Sequence, residues 1–283
     1  MRRILLPGLD LETSVLGFGC ASLGSRVSPR AGLSALHRAF DAGVTWFDLA
    51  PAYGAGEAES IFAGFLAQRR DSVQILTKVG LAPPVRSGAL RAAYSVLRPV
   101  AGTLRKIVKP AGLTQNCSLP ITGALIEASI ATSLARLRTD HVDVLALHDP
   151  DPEAVTRDDV LRALERVVAR GQARGVGVAG SAQACLAGAA PDLSYRLFQT
   201  AVDADGATFA AIRRQAGRPV ATIGHSVMRN NPTNGDAALR AALAANPDGV
   251  TLLSMFDPAH LAANLAVVRD TATAARSDLD LAS

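Results

Sequence analysis

Residues 142–179, VDVLALHDPDPEAVTRDDVLRALERVVARGQARGVGVA, decide how the rest of the chain is read. Val142–Leu147 is a short apolar run with a strand's composition, and Gly175–Ala179 is another. Between them, Thr156–Arg170 sets Val160, Leu161, Leu164 and Val167–Val168 at helical spacing, with charged residues on the opposite side. An apolar strand, an amphipathic helix and a second apolar strand make a βαβ unit. Two strands joined that way lie parallel and have a face buried under the helix.

The same unit recurs in both directions. Upstream, Ser14–Gly19, Val44–Leu49 and Val73–Val79 read as strands; downstream, Arg196–Ala201, Pro219–Gly224 and Val250–Ser254 do. Helical spacing returns in Pro29–Ala42 and in Ala124–Leu137. Eight strands in 283 residues match an α/β fold of the closed (β/α)8 TIM barrel kind. An open doubly wound sheet also alternates strand and helix, but it calls for a glycine fingerprint after the first strand. Gly17-Phe18-Gly19-Cys20-Ala21-Ser22 lacks the third glycine and lies largely inside the strand. The barrel is therefore expected, as a single domain over residues 1–283. Arg2–Leu11, with Pro7-Gly8 at its turn, is expected to form an N-terminal β-hairpin across the barrel floor. About 60 residues separate Val79 from Val142, too many for one helix and its loops, so a long insertion is expected at roughly 81–118.

Apolar residues make up 49% of the chain and charged residues 19%, enough to bury a large core and to exclude disorder. No uncharged stretch reaches the length of a spanning helix, and residues 1–7 carry too short an apolar core for a signal peptide. Cys20, Cys117 and Cys185 are odd in number and widely spaced, which suggests neither a disulfide framework nor a zinc knuckle. The expectation is a cytoplasmic protein without a membrane partner. Net charge is +4, and from Ser72 to Ile126 there is no acidic residue, while Lys78, Arg86, Arg91, Arg98, Arg105, Lys106 and Lys109 fall there. Tyr94 is the one aromatic in that run, so base-stacking platforms are lacking and no nucleic-acid partner is expected.

In a barrel, chemistry gathers where the strands end at the carboxyl face. Asp48 closes the second strand, Tyr53 lies in the loop behind it, Lys78 ends the third strand and His148 follows the fourth. Each has a plain structural reading by itself, a helix cap for the Asp or a snorkelling Lys. Together they describe a proton donor. A phenol with a pKa near ~10 parts reluctantly with its proton, and a lysine ammonium close by favours the phenolate. A buried ammonium needs a carboxylate, which Asp48 supplies. A neutral histidine can hold a carbonyl oxygen, as hydride reduction of that carbonyl requires. His148-Asp149-Pro150-Asp151 has no further ligand at metal-site spacing, so no metal is expected.

These residues resemble the aldo-keto reductase family, NAD(P)H-dependent oxidoreductases built on a (β/α)8 barrel. The resemblance covers roughly residues 2–270. Phe47-Asp48-Leu49-Ala50-Pro51-Ala52-Tyr53-Gly54 followed by Glu59 is similar to its Asp/Tyr motif, and Thr77-Lys78-Val79-Gly80 to its lysine strand. Ser133–Asp143 through Leu147–Pro150 resembles its most specific signature. The resemblance implies Tyr53 as general acid/base, Lys78 and Asp48 as the pair that tunes it, and His148 as the group that orients a small-molecule carbonyl substrate: an aldehyde, ketone or aldose interconverted with its alcohol or lactone.

It implies a cofactor site as well, with departures. Gln199 matches the family's carboxamide-contacting glutamine, and His225-Ser226 stands where the family has Tyr-Ser, an imidazole replacing the ring that stacks on nicotinamide. The Ser-Asn pair after the fifth strand reads Ala179-Gly180, leaving Ser181 as a shifted substitute. Ser254 and Asn264 match in the last barrel unit, but the arginine that reads the 2′-phosphate is His260, and Asp257 adds a negative charge. NADPH is the implied cofactor, with NADH the alternative because a bidentate guanidinium is missing. Two other functions stay open: a catalytically weak or regulatory, cofactor-sensing barrel protein, and an aldolase-like barrel with Lys78 as Schiff-base nucleophile. The oligomeric state is not legible.

Overall fold

The computed structural model of the protein describes residues 1–83, 116–203, 205–229 and 233–281. Eight parallel strands close into a barrel: β1 Leu16–Gly19, β2 Trp46–Asp48, β3 Gln74–Val79, β4 Val142–His148, β5 Ala173–Ala179, β6 Leu197–Ala201, β7 Ala221–His225 and β8 Val250–Leu253. They neighbour one another in chain order, and β8 pairs with β1 through Thr251↔Leu16 to Leu253↔Phe18. All eight expected strands are present. Ser14, read as the start of the first, instead ends the hairpin.

The helices that follow are α1 Pro29–Asp41, α2 Ala58–Leu66, α3 Gly123–Leu137, α4 Asp158–Ala169, α5 Ala182–Gly188, α6 Ala207–Ala216, α7 Gly235–Ala245 and α8 Pro258–Leu281. Local chemistry starts several of them. Ser28 Oγ accepts from the N–H of Ala31 ahead of Pro29, and Thr122 Oγ1 accepts from Leu125, so each satisfies a backbone donor the first turn leaves open. In α4, Val160, Ala163, Leu164 and Val167 are buried, the face that the spacing predicts.

Strand periodicity sorts the apolar residues into two cores. Outward residues such as Phe47, Ile75, Leu145, Val178 and Phe198 pack beneath the helices. Inward ones, Trp46, Leu76, Val144, Ala146, Leu197, Ile223 and Leu252 among them, fill the barrel. Gly17 makes room for the indole among them: a Cβ there would lie 2.9 Å from Trp46 Cδ1 and 2.5 Å from Leu252 Cδ2. The expected hairpin forms from Arg3–Leu6 and Leu11–Ser14, antiparallel from Arg3↔Ser14 to Leu6↔Leu11. Its Leu6 is fully buried in the inner core, so the hairpin plugs the barrel.

The insertion begins and ends in a two-residue ribbon, Leu81–Ala82 against Cys117–Ser118. The basic residues of its interior, Arg86 to Lys109, lie outside the described residues. Its first segment runs beside the turn that follows β2, because a Cβ on Gly56 would stand 3.1 Å from Pro83 Cγ. Among the described residues no helix is long and apolar enough to cross a membrane.

Truncating the plug should be costly. Leu6→Ala is expected to lower unfolding stability by about 2–5 kcal/mol, read from urea denaturation with an unchanged slope, since the leucine is fully enclosed and the barrel cannot collapse around the gap.

Candidate active site

The period of two that builds the inner core also delivers its last members to the barrel mouth. Two residues beyond Trp46 comes Asp48, two beyond Leu76 comes Lys78 and two beyond Ala146 comes His148; Gln199 and His225 continue Leu197 and Ile223 in the same way. These five side chains close the inward rows of five strands, and with Tyr53 they line a cleft of about 280 Å³. Gly19, Ala21, Ser22, Arg26, Asp149, Gly180, Ser226 and Ser254 contribute the rest of its polar and backbone wall.

Lys78 is the hub. Its side chain is 1% exposed, and Nζ donates to Asp48 Oδ1 at 2.7 Å, to the Leu49 carbonyl at 3.0 Å and to the Tyr53 hydroxyl oxygen at 3.0 Å. All three ammonium hydrogens are thus used, which is what holds a charge in so dry a place. The phenol hydrogen of Tyr53 meets Asp48 Oδ2 at 3.3 Å, a long bond that leaves it free to swing towards the cleft. Tyr53 is brought there by the tight turn Tyr53–Gly56, in which Gly54 has φ +62°; a Cβ on Gly54 would lie 1.7 Å from the Leu23 carbonyl oxygen. The ring of His148 stands edge-on to that of Tyr53, centroids 5.7 Å apart.

Burial, more than any single partner, controls the charges. It pushes the Lys78 ammonium down, against the pull of Asp48. Burial and then the Asp48 carboxylate push the Tyr53 phenol well above its ordinary range. This reverses the direction expected from Lys78 alone: in the closed triangle the desolvation and the carboxylate outweigh the ammonium, and Tyr53 keeps its proton. His148 is lowered to about 3 by burial and by the charges of Lys78 and His225, so it is neutral at physiological pH. Its Nδ1 is buried without a hydrogen-bond partner among the described residues. A proton there would be stranded, which favours the tautomer carrying the hydrogen on Nε2.

The residues expected to hold a dinucleotide divide into two groups. Gln199, His225, Ser226 and Ser254 do line the cleft. Gln199 Oε1 is buried with no partner among the described residues, an acceptor suited to a carboxamide N–H. His225 and Ser226 are joined, Nδ1 to Oγ, at 2.9 Å. Ser181 stands apart: its hydroxyl accepts from Ala184 N at 3.1 Å to cap α5, and it is not among the residues that line the cleft. His260 and Asn264 sit a turn apart on one side of α8, beyond the cleft, and Asp257 Oδ1 accepts from the N–H of Ala259 at the helix start. On the inner wall the nicotinamide end fits the residues present.

Glu59 lies behind β3 instead, where its buried carboxylate accepts from Thr77 Oγ1 at 2.7 Å and pairs with Arg136 at 3.4 Å. That anchors the strand on which Lys78 is the next residue. Ser22 and Arg26 reach the cleft from the loop after β1 without a signal in the sequence, and Asp149 offers one only as a lone metal-type ligand. A loop side chain leaves no periodic signal, so only the rule that barrel loops line the mouth pointed to them. Among the described residues no three His, Cys, Asp or Glu side chains gather to hold a metal.

The model of the aldo/keto reductase family matches residues 15–189. The 6-dehydroglucose reductase of Agrobacterium fabrum is 30% identical over 186 residues, 63% of this chain and 53% of that protein. The D-threo-aldose 1-dehydrogenase of a Pseudomonas species is 30% identical over 184 residues, 59% of this chain and 50% of its own. The chain thus spans about half the length of the curated relatives it matches. The holo form of an aldo-keto reductase from Bacillus halodurans superposes with a TM-score of 0.71 at 20% identity, covering 95% of this chain and 91% of the other, a likeness of fold.

The neutral His148 has a measurable consequence. Its folded pKa of about 3 lies below the unfolded value of 6.5, so the unfolded chain takes up the proton first and stability is lost as pH falls from 6.5 towards 3. Wild type is expected to lose about 2 kcal/mol more than His148→Gln between pH 6.5 and 4.5, a difference of roughly 4 °C in Tm across that interval. Parallel Tm curves for the two proteins would show that His148 is charged in the fold.

Proposed function

The chain belongs to the aldo/keto reductase family, and on that premise we propose that it is an NAD(P)H-dependent oxidoreductase in which Tyr53 gives a proton to a carbonyl oxygen. The observation that carries this reading is the triangle of Lys78, Asp48 and the Tyr53 hydroxyl, with neutral His148 beside it. A reduced nicotinamide, when bound, would supply hydride to the carbonyl carbon. The protein's own part is to place and protonate the oxygen. His148 donates from Nε2 to that oxygen and holds it by the phenol. The Tyr53 hydrogen swings off its 3.3 Å bond to Asp48 Oδ2 and passes to the oxygen as negative charge builds there. The phenolate left behind keeps the Lys78 N–H at 3.0 Å, so the developing charge is met by a donor already in place.

The raised Tyr53 pKa suits reduction at neutral pH, where the acid must arrive protonated. The reverse reaction needs the phenolate and should gain rate as pH rises. The names of the two relatives, a 6-dehydroglucose reductase and a D-threo-aldose 1-dehydrogenase, support an aldose or related small carbonyl compound as substrate, interconverted with its alcohol or lactone.

Gln199, His225 and Ser226 would hold the nicotinamide end of the cofactor, Ser254, His260 and Asn264 the remainder. NADPH is the form we assign, bound with less discrimination against NADH than an arginine at residue 260 would give.

Tyr53→Phe removes the transferable proton together with the oxygen that accepts from Lys78 Nζ, and leaves the ring in place. It is expected to lower kcat for aldose or aldehyde turnover by at least about 10²-fold while cofactor affinity, followed by fluorescence titration, stays within twofold. Unchanged turnover would reject Tyr53 as the acid, and absence of any nicotinamide binding by wild type would favour a non-catalytic barrel protein. In the same titration His260→Arg should tighten NADPH by about tenfold and leave NADH unmoved.

A further inference from the structure

A second cation lines the cleft and takes no part in the proton transfer. Arg26 belongs to the loop between β1 and α1, and its Nε and Nη2 donate to Ser22 Oγ at 3.1 and 2.7 Å. Among the described residues it has no carboxylate partner, and its other N–H groups make no hydrogen bond. Lys78, by contrast, is spent on Asp48, Leu49 and Tyr53, and His148 is neutral. Arg26 is therefore a cation of the described cleft wall whose charge no carboxylate among the described residues answers.

It is also held in place. The loop folds on itself, with Gly24 N donating to Val27 O and Val27 N to Ser22 O, both at 3.0 Å. It docks on the turn that carries the phenol, through the N–H of Gly54 to the Ala21 carbonyl at 3.3 Å. Arg26 and Tyr53 thus ride on two loops braced against each other. Asp149, the exposed carboxylate of the cleft, stands elsewhere. It follows β4 and lies against Gly180, where a Cβ would be 3.4 Å from its Oδ1. Asp149 thus lies between β4 and β5, three to four strands round the ring from β1, so the mouth has a basic β1 side and an acidic β5 side.

We propose that Arg26 and Ser22 form an anion subsite that takes the carboxylate or phosphate of an acidic carbonyl substrate, such as a sugar acid or a sugar phosphate. This rests on the oxidoreductase reading above and names its substrate class. With the carbonyl between Tyr53 and His148, an acidic group directed to the β1 side meets a planar, charged donor, while the β5 side repels it. Arginine is suited to both groups because its paired N–H donors match their oxygens.

Kinetics with matched sugars test this: D-galactose, D-galacturonate and D-galactose 6-phosphate, on wild type and Arg26→Gln. The wild type is expected to favour one acidic sugar over galactose, and whichever is favoured separates carboxylate from phosphate. In Arg26→Gln the KM for that sugar should rise about 10- to 100-fold, with kcat and the constants for galactose within about twofold. An equal loss for acidic and neutral sugars would overturn the proposal. So would a loss confined to NADPH and NADH affinity, which would give Arg26 to the cofactor's diphosphate. If wild type turns over none of the sugars, calorimetric titration with the same three still decides. Binding of an acidic sugar that Arg26→Gln abolishes would keep the subsite and reject the redox reading; no such binding would reject the subsite as well.

Discussion

A lysine ammonium sealed inside a barrel, with each of its three hydrogens donated, is the constraint on which the rest of this site depends. Nothing in water would force Lys78, Asp48 and Tyr53 together, since an exposed ion pair is worth little. Buried, the pair can be neither separated nor half removed without stranding a charge. Asp48 must come from β2, the Leu49 carbonyl from the residue after it and Tyr53 from the turn beyond, so one cation fixes the geometry of a whole βα connection. The close approach of Gly54 to the Leu23 carbonyl, and the 3.3 Å bond from Gly54 to Ala21, then pass that geometry on to the loop after β1.

The same burial sets the protonation states. Desolvation pushes Lys78 down and Tyr53 up and makes His148 a poor base. A cleft with a protonated phenol, a neutral imidazole and an ammonium committed to its carboxylate is arranged to give a proton. Its outer rim carries the charges that remain free to recognise a ligand, Arg26 on one side and Asp149 on the other.

The half of the mouth proposed to hold the cofactor is built more lightly. Ala179 and Gly180 offer no side-chain donor, Ser181 is occupied as a helix cap, and the imidazole of His225 is tied to Ser226. What remains firm there is Gln199, whose buried oxygen lacks a partner among the described residues. The departures from the family pattern that stand out in the sequence fall on this side, while Asp48, Tyr53, Lys78 and His148 are all present and gathered at the mouth.

The alternation of apolar strands and amphipathic helices determined the barrel by itself, because a period of two and a period of 3.6 are written in consecutive residues. It also determined that Asp48, Lys78 and His148 would meet, since each ends the inward row of its strand and a closed barrel has one mouth. The hairpin plug and the bounds of the insertion near 81–118 were legible for similar reasons, a Pro-Gly turn and an interval too long for one helix. Tertiary structure alone decided how the charges settle. The net rise at Tyr53 comes from desolvation and from the carboxylate's distance, which no spacing encodes. It decided that Arg26 turns to the cleft, because a loop side chain's direction follows from what its backbone packs against, and the bond from Gly54 to Ala21 joins residues far apart in the chain.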